Sequence, residues 1–375
     1  MSIVLDSVAA GLAAAHFAAP LAYYLAARRW LARGLGVARD EGYVPRVAVI
    51  VPVFNEEEVI VGKLEDIYSQ DYPRDKLRVV VVDSASTDST LRLVEEWGAG
   101  HPDEDLVVVE EGERRGKISA LNTALRSLRG DEELVAITDA DSYWGDRSTL
   151  RRAVAYMADE GVAAVSCLKR PARLGPGGVE EGYRGYYNVL RLAESMKWST
   201  PVFHGELAVF RRSLLEELGG FPESIGADDS HTATLLAARG YRSIIPGDVW
   251  CVELVPRGRR YLSWKARRAQ HLVQHFARSL RELPRAPRGF RAVLAAEQYL
   301  HLVNPLLLAA SITLLAVSAA SGSLLAAALL AAGAAAAVVP EYRTWITSQL
   351  LLLYGMALNV RGRNLVWSKE VKGEG

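Results

Sequence analysis

The sequence predicts an α/β domain built on a mostly parallel sheet, flanked by apolar helices that cross a membrane or lie on it. Three observations predict this. Between Val44 and about Val255, short β-branched runs alternate with amphipathic stretches; an uncharged run near the N-terminus is long enough to span a bilayer; and the last third of the chain is apolar again. At 375 residues the chain can hold one large domain or two smaller ones.

Ser7 to Ala27 carries no Asp, Glu, Lys or Arg, and about 20 apolar residues suffice to cross a bilayer. A signal peptide would carry its basic residues before the apolar run; here Arg28 and Arg29 follow it. The cluster Arg28, Arg29, Arg33 and Arg39 just after the span places the following domain in the cytoplasm by the positive-inside bias. Leu302 to Ala320 and Leu324 to Val339, separated by Ser321, Gly322 and Ser323, read as a helical hairpin with a tight external turn. A third run, Trp345 to Val360, is short and is followed by Arg361, Arg363, Lys369 and Lys372. Crossing would carry those charges outside. The reading is therefore three spans plus one interfacial helix, with four spans if the last run crosses. The segments expected are 1–42, an anchor and basic linker; 43–255, the α/β domain; 256–300, interfacial amphipathic helices; and 301–375, the hairpin and final helix.

Within the domain, Val47 to Val53, Val79 to Val82, Leu106 to Val109 and Leu134 to Thr138 are continuous apolar runs. They read as strands buried on both faces, hence mostly parallel. Helical patterns lie between them at Glu57 to Gln70, Thr87 to Trp97 and Lys117 to Leu128. Lys and Arg balance Asp and Glu at 44 each, which gives no support for nucleic-acid binding. Cys167 and Cys251 are too few for a disulfide framework or a zinc site and read as small core residues in a reducing compartment.

Open parallel sheets bind ligands beyond the carboxyl ends of their strands. The first strand ends in Pro52, Val53, Phe54, Asn55 and Glu56, the second in Asp83 and Ser84, and the fourth in Asp139, Ala140 and Asp141. These polar groups are expected to converge on one crevice. Asp139 and Asp141 supply hard oxygen ligands suited to Mg²⁺ or Mn²⁺, ions that keep waters and bridge to substrate phosphates; the plainer reading is a helix cap. Lys117, near a helix N-terminus, is placed to meet a diphosphate, against the plainer reading of a solvated basic turn. Asp228 and Asp229 open another helix and are either capping residues or the site of a general base.

The ordered segments VPVFNEEE (Val51 to Glu58), VVVVDSASTDST (Val79 to Thr90), GKISALNTAL (Gly116 to Leu125) and TDAD (Thr138 to Asp141) resemble family-2 glycosyltransferases of the GT-A (Rossmann-like) fold. HGELAVFRRSLLEELGGF (His204 to Phe221) and ADDSHTATLLAARGYRS (Ala227 to Ser243) resemble the cellulose-synthase-like membrane branch. The resemblance covers about residues 45–280. It implies that Pro52, Val53, Asn55, Glu56 and Asp83 hold the base and ribose, that Lys117 meets the diphosphate, and that Asp139 and Asp141 form the DxD pair with Asp141 the main metal ligand. Asp228 and Asp229 match the family's Thr-Glu-Asp motif, which makes Asp229 the base; His204, Gly205 and Glu206 fall where the family shapes its acceptor site. Tyr183 to Trp198 is implied to be an interfacial helix under the site, its aromatic residues at the membrane boundary.

Processive members carry Gln-x-x-Arg-Trp. Here the matching stretch is Trp264, Lys265, Ala266, Arg267, Arg268, in which only Arg267 is kept. The resemblance thus implies an inverting, non-processive transferase. Its donor is a nucleotide sugar, with GDP-mannose favoured, and its acceptor is a membrane lipid or lipid-linked glycan. Arg267 and Arg268 are within reach of the diphosphate and Trp264 lies near the acceptor. The alternatives are a processive polysaccharide synthase and a catalytically silent nucleotide-binding membrane protein. A transporter does not fit an uncharged hairpin, and a dehydrogenase would need a glycine-rich loop after the first strand.

Overall fold

A computed structural model describes residues 2–172, 179–223, 225–256 and 258–361. The chain opens with α1 (Ser2–Arg28), then alternates: β1 (Val47–Val53), α2 (Ile60–Tyr68), β2 (Leu77–Asp83), α3 (Thr90–Gly100), β3 (Asp105–Glu110), α4 (Lys117–Ser127), β4 (Leu134–Ile137), β5 (Ser142–Trp144) and α5 (Thr149–Ala155). It continues with β6 (Val162–Ser166), β7 (Leu168–Pro171), α6 (Val179–Lys197), β8 (Ala208–Arg211), α7 (Arg212–Leu218), α8 (Asp228–Ala238), β9 (Arg242–Ile244) and β10 (Trp250–Glu253). The last third is helical: α9 (Arg259–Ser279), α10 (Arg288–Gln298), α11 (Asn304–Ala320), α12 (Leu324–Ala335) and α13 (Pro340–Arg361).

Seven strands form one sheet in the order β3-β2-β1-β4-β8-β6-β9, and β5-β10-β7 form a small second sheet. In the large sheet only β8 runs against its neighbours β4 and β6. Side chains alternate across it with the period of two that strands impose. Val47, Val49 and Val51 join Ile60, Leu64, Val79 and Val81 on one face; Ile50, Val80 and Val82 join Leu121, Leu215, Phe210 and Ala233 on the other. Strands covered by helices on both faces explain the unbroken apolar runs. β3 differs from expectation: it is partly exposed along its length because it is the edge strand, with a neighbour on one side only.

The expected helices form, with trimmed ends. α2 starts at Ile60 rather than Glu57 because the carbonyl of Glu56 accepts from the amides of Val59 and Ile60, making the preceding residues a tight turn. α8 is buried nearly all round, which a small-residue sequence of Ser, Thr and Ala permits.

Among the described residues, two helices are long and apolar enough to cross a membrane: Ile3–Arg33, and Arg288–Ala320, which includes one π-helical turn at Tyr299–Val303. α1 packs along α11. The expected hairpin turn is present: Ser323 caps α12 by accepting from the Ala326 amide at 3.2 Å. Its second arm has the expected extent to within a residue but does not stand alone. Leu324–Val338 ends at Pro340, where the chain bends by 111° into α13, so the two pieces together make at most one broken span. Large apolar side chains such as Ile3, Leu21, Leu306, Val317 and Leu325 are exposed on these helices, as a lipid-facing surface requires. The run expected as an interfacial helix lies in α13, which packs against α9 and α6. Gly355 makes this contact close, because a Cβ there would sit 2.8 Å from the Gln270 amide nitrogen. Arg363, Lys369 and Lys372 lie outside the described residues.

Candidate active site

The carboxyl ends of β1 and β4 open into a cavity of about 750 Å³, closed on the opposite side by α6, α8, α9 and α13. Among the described residues, only Asn55 and Ala85 combine a side chain with positive φ, at 55° and 59°. They occupy the loops after β1 and β2, at the same sheet edge, a place where proteins commonly store backbone strain.

Pro52, Val53 and Glu56 line the cavity, as do Lys117, Asp139 and Asp141. Lys117 is the first residue of α4, entered through Gly116 at φ 94°. Its ammonium lies 2.8 Å from Asp139 Oδ1 and 3.4 Å from Asp228 Oδ2, joining the β4 end to the start of α8. Burial opposes its charge, but Asp139 and Asp228 outweigh that and hold its pKa above the ordinary lysine range. Gly205 lies directly against this group: its carbonyl accepts from the Asp139 amide at 2.8 Å, and a Cβ there would be 2.8 Å from Asp139 Oδ2 and 3.0 Å from Lys117 Nζ. A side chain there would have to push the Asp139 carboxylate and the Lys117 ammonium aside.

Asp229 accepts from its neighbour Ser230, 2.6 Å to the amide and 3.1 Å to the hydroxyl. Burial and the adjacent Asp228 carboxylate push its pKa up to about 7. Burial raises Asp228 as well, with Lys117 opposing. A carboxylate poised near neutrality inside a cleft is suited to proton transfer. His271 on α9 completes this wall. It packs on Gly226, where a Cβ would meet the ring at 2.2 Å, and burial together with Arg267 lowers its pKa to about 4.

Asp139, against Gly205, and Asp141, on the cavity lining, are hard oxygen donors. Among the described residues no three His, Cys, Asp or Glu side chains are arranged to hold an ion by themselves. Two carboxylates on one cavity suit Mg²⁺ or Mn²⁺, ions that take further oxygens from phosphate and water.

Two expected residues do not reach the cavity wall. Asn55 turns to the next loop, its Oδ1 accepting from the Thr87 amide at 2.7 Å and its amide donating to Thr87 Oγ1 at 3.2 Å. Asp83 accepts from the Ser86 amide at 2.9 Å through Oδ2, while its buried Oδ1 has no hydrogen-bond partner. Ser84 takes its place on the lining.

His204, Glu206, Trp264, Arg267 and Arg268 all line the cavity. Burial, with Lys169 and Arg184 nearby, holds the His204 pKa well below its ordinary value, so the ring is neutral. Behind this wall lies a charge network that the sequence reading missed. Lys169 of β7 bridges Glu206 at 2.5 Å and Glu253 of β10 at 3.0 Å; Glu253 also takes Arg184 of α6 and Arg268 of α9. Arg184 and Lys265 meet Glu180 at 3.1 Å and 2.5 Å. Burial opposes ionisation of Glu253, but its three cations hold its pKa well below the usual range. The available signals were the Glu180–Arg184 pair at helical spacing and a single acid ending the apolar strand before Val255. At the rim, the Arg114 guanidinium stacks 3.6 Å from the Phe54 ring centroid.

The chain matches the models of "Glycosyl transferase family 2" over residues 48–219 and "Glycosyl transferase family group 2" over residues 134–358. Among solved structures, it is similar to the mannosyltransferase PcManGT from Pyrobaculum calidifontis in complex with GDP-Man and Mn²⁺. The identity is 56% and the TM-score 0.89, covering 95% of this chain and 99% of that one. It is also 29% identical to the glycosyltransferase AglE of Haloferax volcanii over 55% of this chain. It is 29% identical to the beta-monoglucosyldiacylglycerol synthase of a Synechocystis species over 49%. Those two matches span 66% and 39% of the relatives' own lengths. With one family model covering more than half of its length and the parallel-sheet fold that its sequence predicts, the chain belongs to the family-2 glycosyltransferases and is a GT-A-fold glycosyltransferase.

Proposed function

We propose that the chain transfers a single mannose, with inversion, from GDP-mannose to a membrane lipid or lipid-linked glycan at the cytoplasmic face of a membrane. One observation carries this reading. Asp229, its pKa raised to about 7, shares a cavity with the Lys117, Asp139 and Asp141 group at the sheet edge. Direct displacement at a sugar carbon needs one base and a stabilised leaving group, and no covalent nucleophile.

The roles follow from position. Pro52, Val53 and Glu56 hold the base and ribose, with Asp83 and Asn55 ordering the loops beneath them through Ser86 and Thr87. Lys117, at the N-terminus of α4, binds the diphosphate, where unpaired helix amides also favour an anion. Asp141 and Asp139 hold Mg²⁺ or Mn²⁺, which when bound stabilises the charge developing on the leaving diphosphate. Asp228 braces Lys117. Asp229 takes the proton from the attacking acceptor hydroxyl, and Arg267, on the facing wall, steadies the diphosphate. The GDP-Man and Mn²⁺ complex of the Pyrobaculum protein supports the donor and the ion.

A lipid-type acceptor is supported by the far end of the cavity, which continues between Leu272 of α9 and Ser348, Leu351 and Leu352 of α13. The name of the Synechocystis relative, a glucosyldiacylglycerol synthase, agrees with it. Cytoplasmic orientation is supported by basic residues gathered at one end of both long helices. Arg28, Arg29 and Arg33 are exposed next to Trp30, which packs into the apolar cluster of Phe290, and Arg281, Arg285 and Arg288 are exposed nearby in sequence. We take 43–255 as the catalytic domain and 256–361 as its membrane-side cover. Processive synthesis is the less favoured reading, since Trp264 and Arg268 replace the Gln and Trp of the processive motif.

The test is nucleoside-diphosphate release from a panel of nucleotide sugars with Mn²⁺ or Mg²⁺ and a membrane lipid extract, beside an Asp229→Asn variant. The expected result is GDP release from GDP-mannose alone, dependent on lipid and lost in the variant. Lipid-dependent release from a UDP-sugar instead would overturn the donor assignment.

A further inference from the structure

Charge is unevenly spread along this chain. Basic and acidic residues balance at 44 each, yet Arg28 to Arg39 holds four arginines and no acid, and Arg278 to Arg291 holds five arginines and one acid, Glu282. The two segments are far apart in sequence and meet in the fold. Ser311 Oγ donates to the Ala9 carbonyl at 2.9 Å, and His16 Nδ1 lies 3.0 Å from the Asn304 carbonyl oxygen. These two contacts run in opposite chain directions, so α1 and α11 are antiparallel. Counted from His16 and Asn304, Arg28 lies about 18 Å and Arg288 about 24 Å toward the same end of the pair. At that end Trp30 packs with Leu283 and Phe290 in one apolar cluster, and Lys197 Nζ sits 5.7 Å from the Trp30 ring centroid. Arg242 donates to the Leu35 carbonyl at 2.9 Å and the Ser195 carbonyl at 2.7 Å, pinning the segment after α1 to α6.

These arginines differ from the others on the surface in lacking counter-ions. On the catalytic domain Arg46 pairs with Asp131 at 3.4 Å, Arg74 with Glu104 at 3.0 Å and Arg92 with Glu96 at 2.6 Å. Among the described residues, Arg28, Arg29, Arg33, Arg281 and Arg288 are exposed and make no ion pair, and Arg285 reaches Glu282 only at 3.9 Å. Like charges gathered without carboxylates repel one another, so the arrangement is unfavourable until an anionic surface meets it.

We infer that this end of the helix pair is an anionic-lipid surface: its unpaired arginines and Lys197 bind the phosphate headgroups of the leaflet beside the catalytic domain. The occupant is bilayer phospholipid rather than a nucleic acid or an acidic protein, because the patch stands at the ends of the two helices long and apolar enough to cross a membrane, at the level of the headgroups. Trp30 and Trp198, close to the patch, suit the same interface: Trp30 lies under Lys197, and a Cβ on Gly289 would sit 3.2 Å from the Trp198 ring. This surface serves whatever sugar or acceptor the enzyme uses, and needs only that α1 and α11 cross the membrane.

The experiment uses the full chain reconstituted in phosphatidylcholine vesicles, with quenching of tryptophan fluorescence by dibrominated phosphatidylglycerol or dibrominated phosphatidylcholine as the readout. Each arginine at an anionic leaflet is worth about fivefold in binding. The parent should therefore prefer phosphatidylglycerol by about five- to tenfold at about 0.1 M salt, and lose most of that preference at about 1 M, where the screening length falls to about 3 Å. The triple variant Arg281→Gln, Arg285→Gln, Arg288→Gln should bring the preference to within about twofold of parity. Arg28→Gln, Arg29→Gln, Arg33→Gln should act in the same direction; should it fail to insert, the first triple variant decides. Lysine at positions 281, 285 and 288 should keep the preference, and Arg46→Gln with Arg74→Gln, which removes paired arginines from the catalytic domain, should leave it unchanged. Inorganic phosphate should compete no better than sodium chloride at equal ionic strength. No turnover is involved, so a failed donor or acceptor assignment leaves this test standing. Equal quenching by the two lipids, a preference that survives neutralisation of 281, 285 and 288, or displacement by inorganic phosphate beyond the salt effect would overturn the inference.

Discussion

Asp229→Asn keeps the size of the side chain and removes its charge, and the two roles open to an acid at a helix start respond in opposite ways. As a cap, a charged Asp stabilises the fold. As a base held at a raised pKa, it strains the fold whenever it is ionised. Its folded pKa of about 7 lies above the ordinary value of 3.8. Between those values the folded chain binds a proton that the unfolded chain has released, so the unfolding free energy falls as pH rises through that window. About three units correspond to at most about 4 kcal/mol. Asp228 and Lys117 share the interaction, so a loss of roughly 1–2 kcal/mol is the expectation. The Asn variant should therefore melt a few degrees above the parent at pH 8 and with it near pH 4, while its transfer rate falls by about 10²–10⁴-fold. In the parent, kcat/KM should rise about tenfold per pH unit up to about 7 and then level off, since only the ionised form takes the proton. Thermal melts at the two pH values beside a transfer assay decide the matter. A variant that melts below the parent at pH 8, or that keeps transfer within a few-fold, refutes the assignment.

Gly205→Ala places a methyl group against Asp139 and Lys117, so nucleotide-sugar binding should weaken by about tenfold or more while the melting temperature moves little, read by calorimetry with GDP and Mn²⁺. Lys117→Met removes the cation between Asp139 and Asp228. Both the donor KM and the melting temperature should suffer, the latter by about 3 kcal/mol of stability, because carboxylates are left buried without a partner. Asp141→Ala should raise the Mn²⁺ concentration needed for half-maximal GDP release by about tenfold, with little change in the melt of the metal-free protein. Gly355→Leu forces α13 away from the Ala269–Gln270 backbone and should cost about 1–3 kcal/mol of stability by overpacking, seen as a lower melting temperature.

The sheet was legible because its strands are buried on both faces: β1 has the boundaries its apolar run predicts, and β2 and β4 differ by a residue or two. The strand-end rule then placed Pro52, Glu56, Asp139 and Asp141 on one cavity, which Lys117 and Asp229, read as residues at helix starts, also line. Asn55 and Asp83 show where that rule is too coarse. Being at a strand end does not say which way a side chain turns, and here the turn chemistry of Thr87 and Ser86 captures them. The Lys169, Glu206, Glu253 and Arg184 network was not legible because its partners come from distant parts of the chain and meet only once β7, β10 and α6 are packed. The apolar C-terminal run was read as two hairpin arms. Hydropathy reports composition, whereas the 111° bend at Pro340 follows from proline ending the helix.

The central claim is transfer of one mannose to a lipid-type acceptor, and the product tests it most directly. Purified protein given GDP-mannose labelled in the sugar, Mn²⁺ and a membrane lipid extract is followed by organic extraction, mass spectrometry and assignment of the anomeric configuration. The account predicts label in the organic phase on a lipid heavier by a single hexose, with the anomeric centre inverted. A ladder of repeated additions, label retained only in water-soluble polymer, or retention of configuration would contradict it.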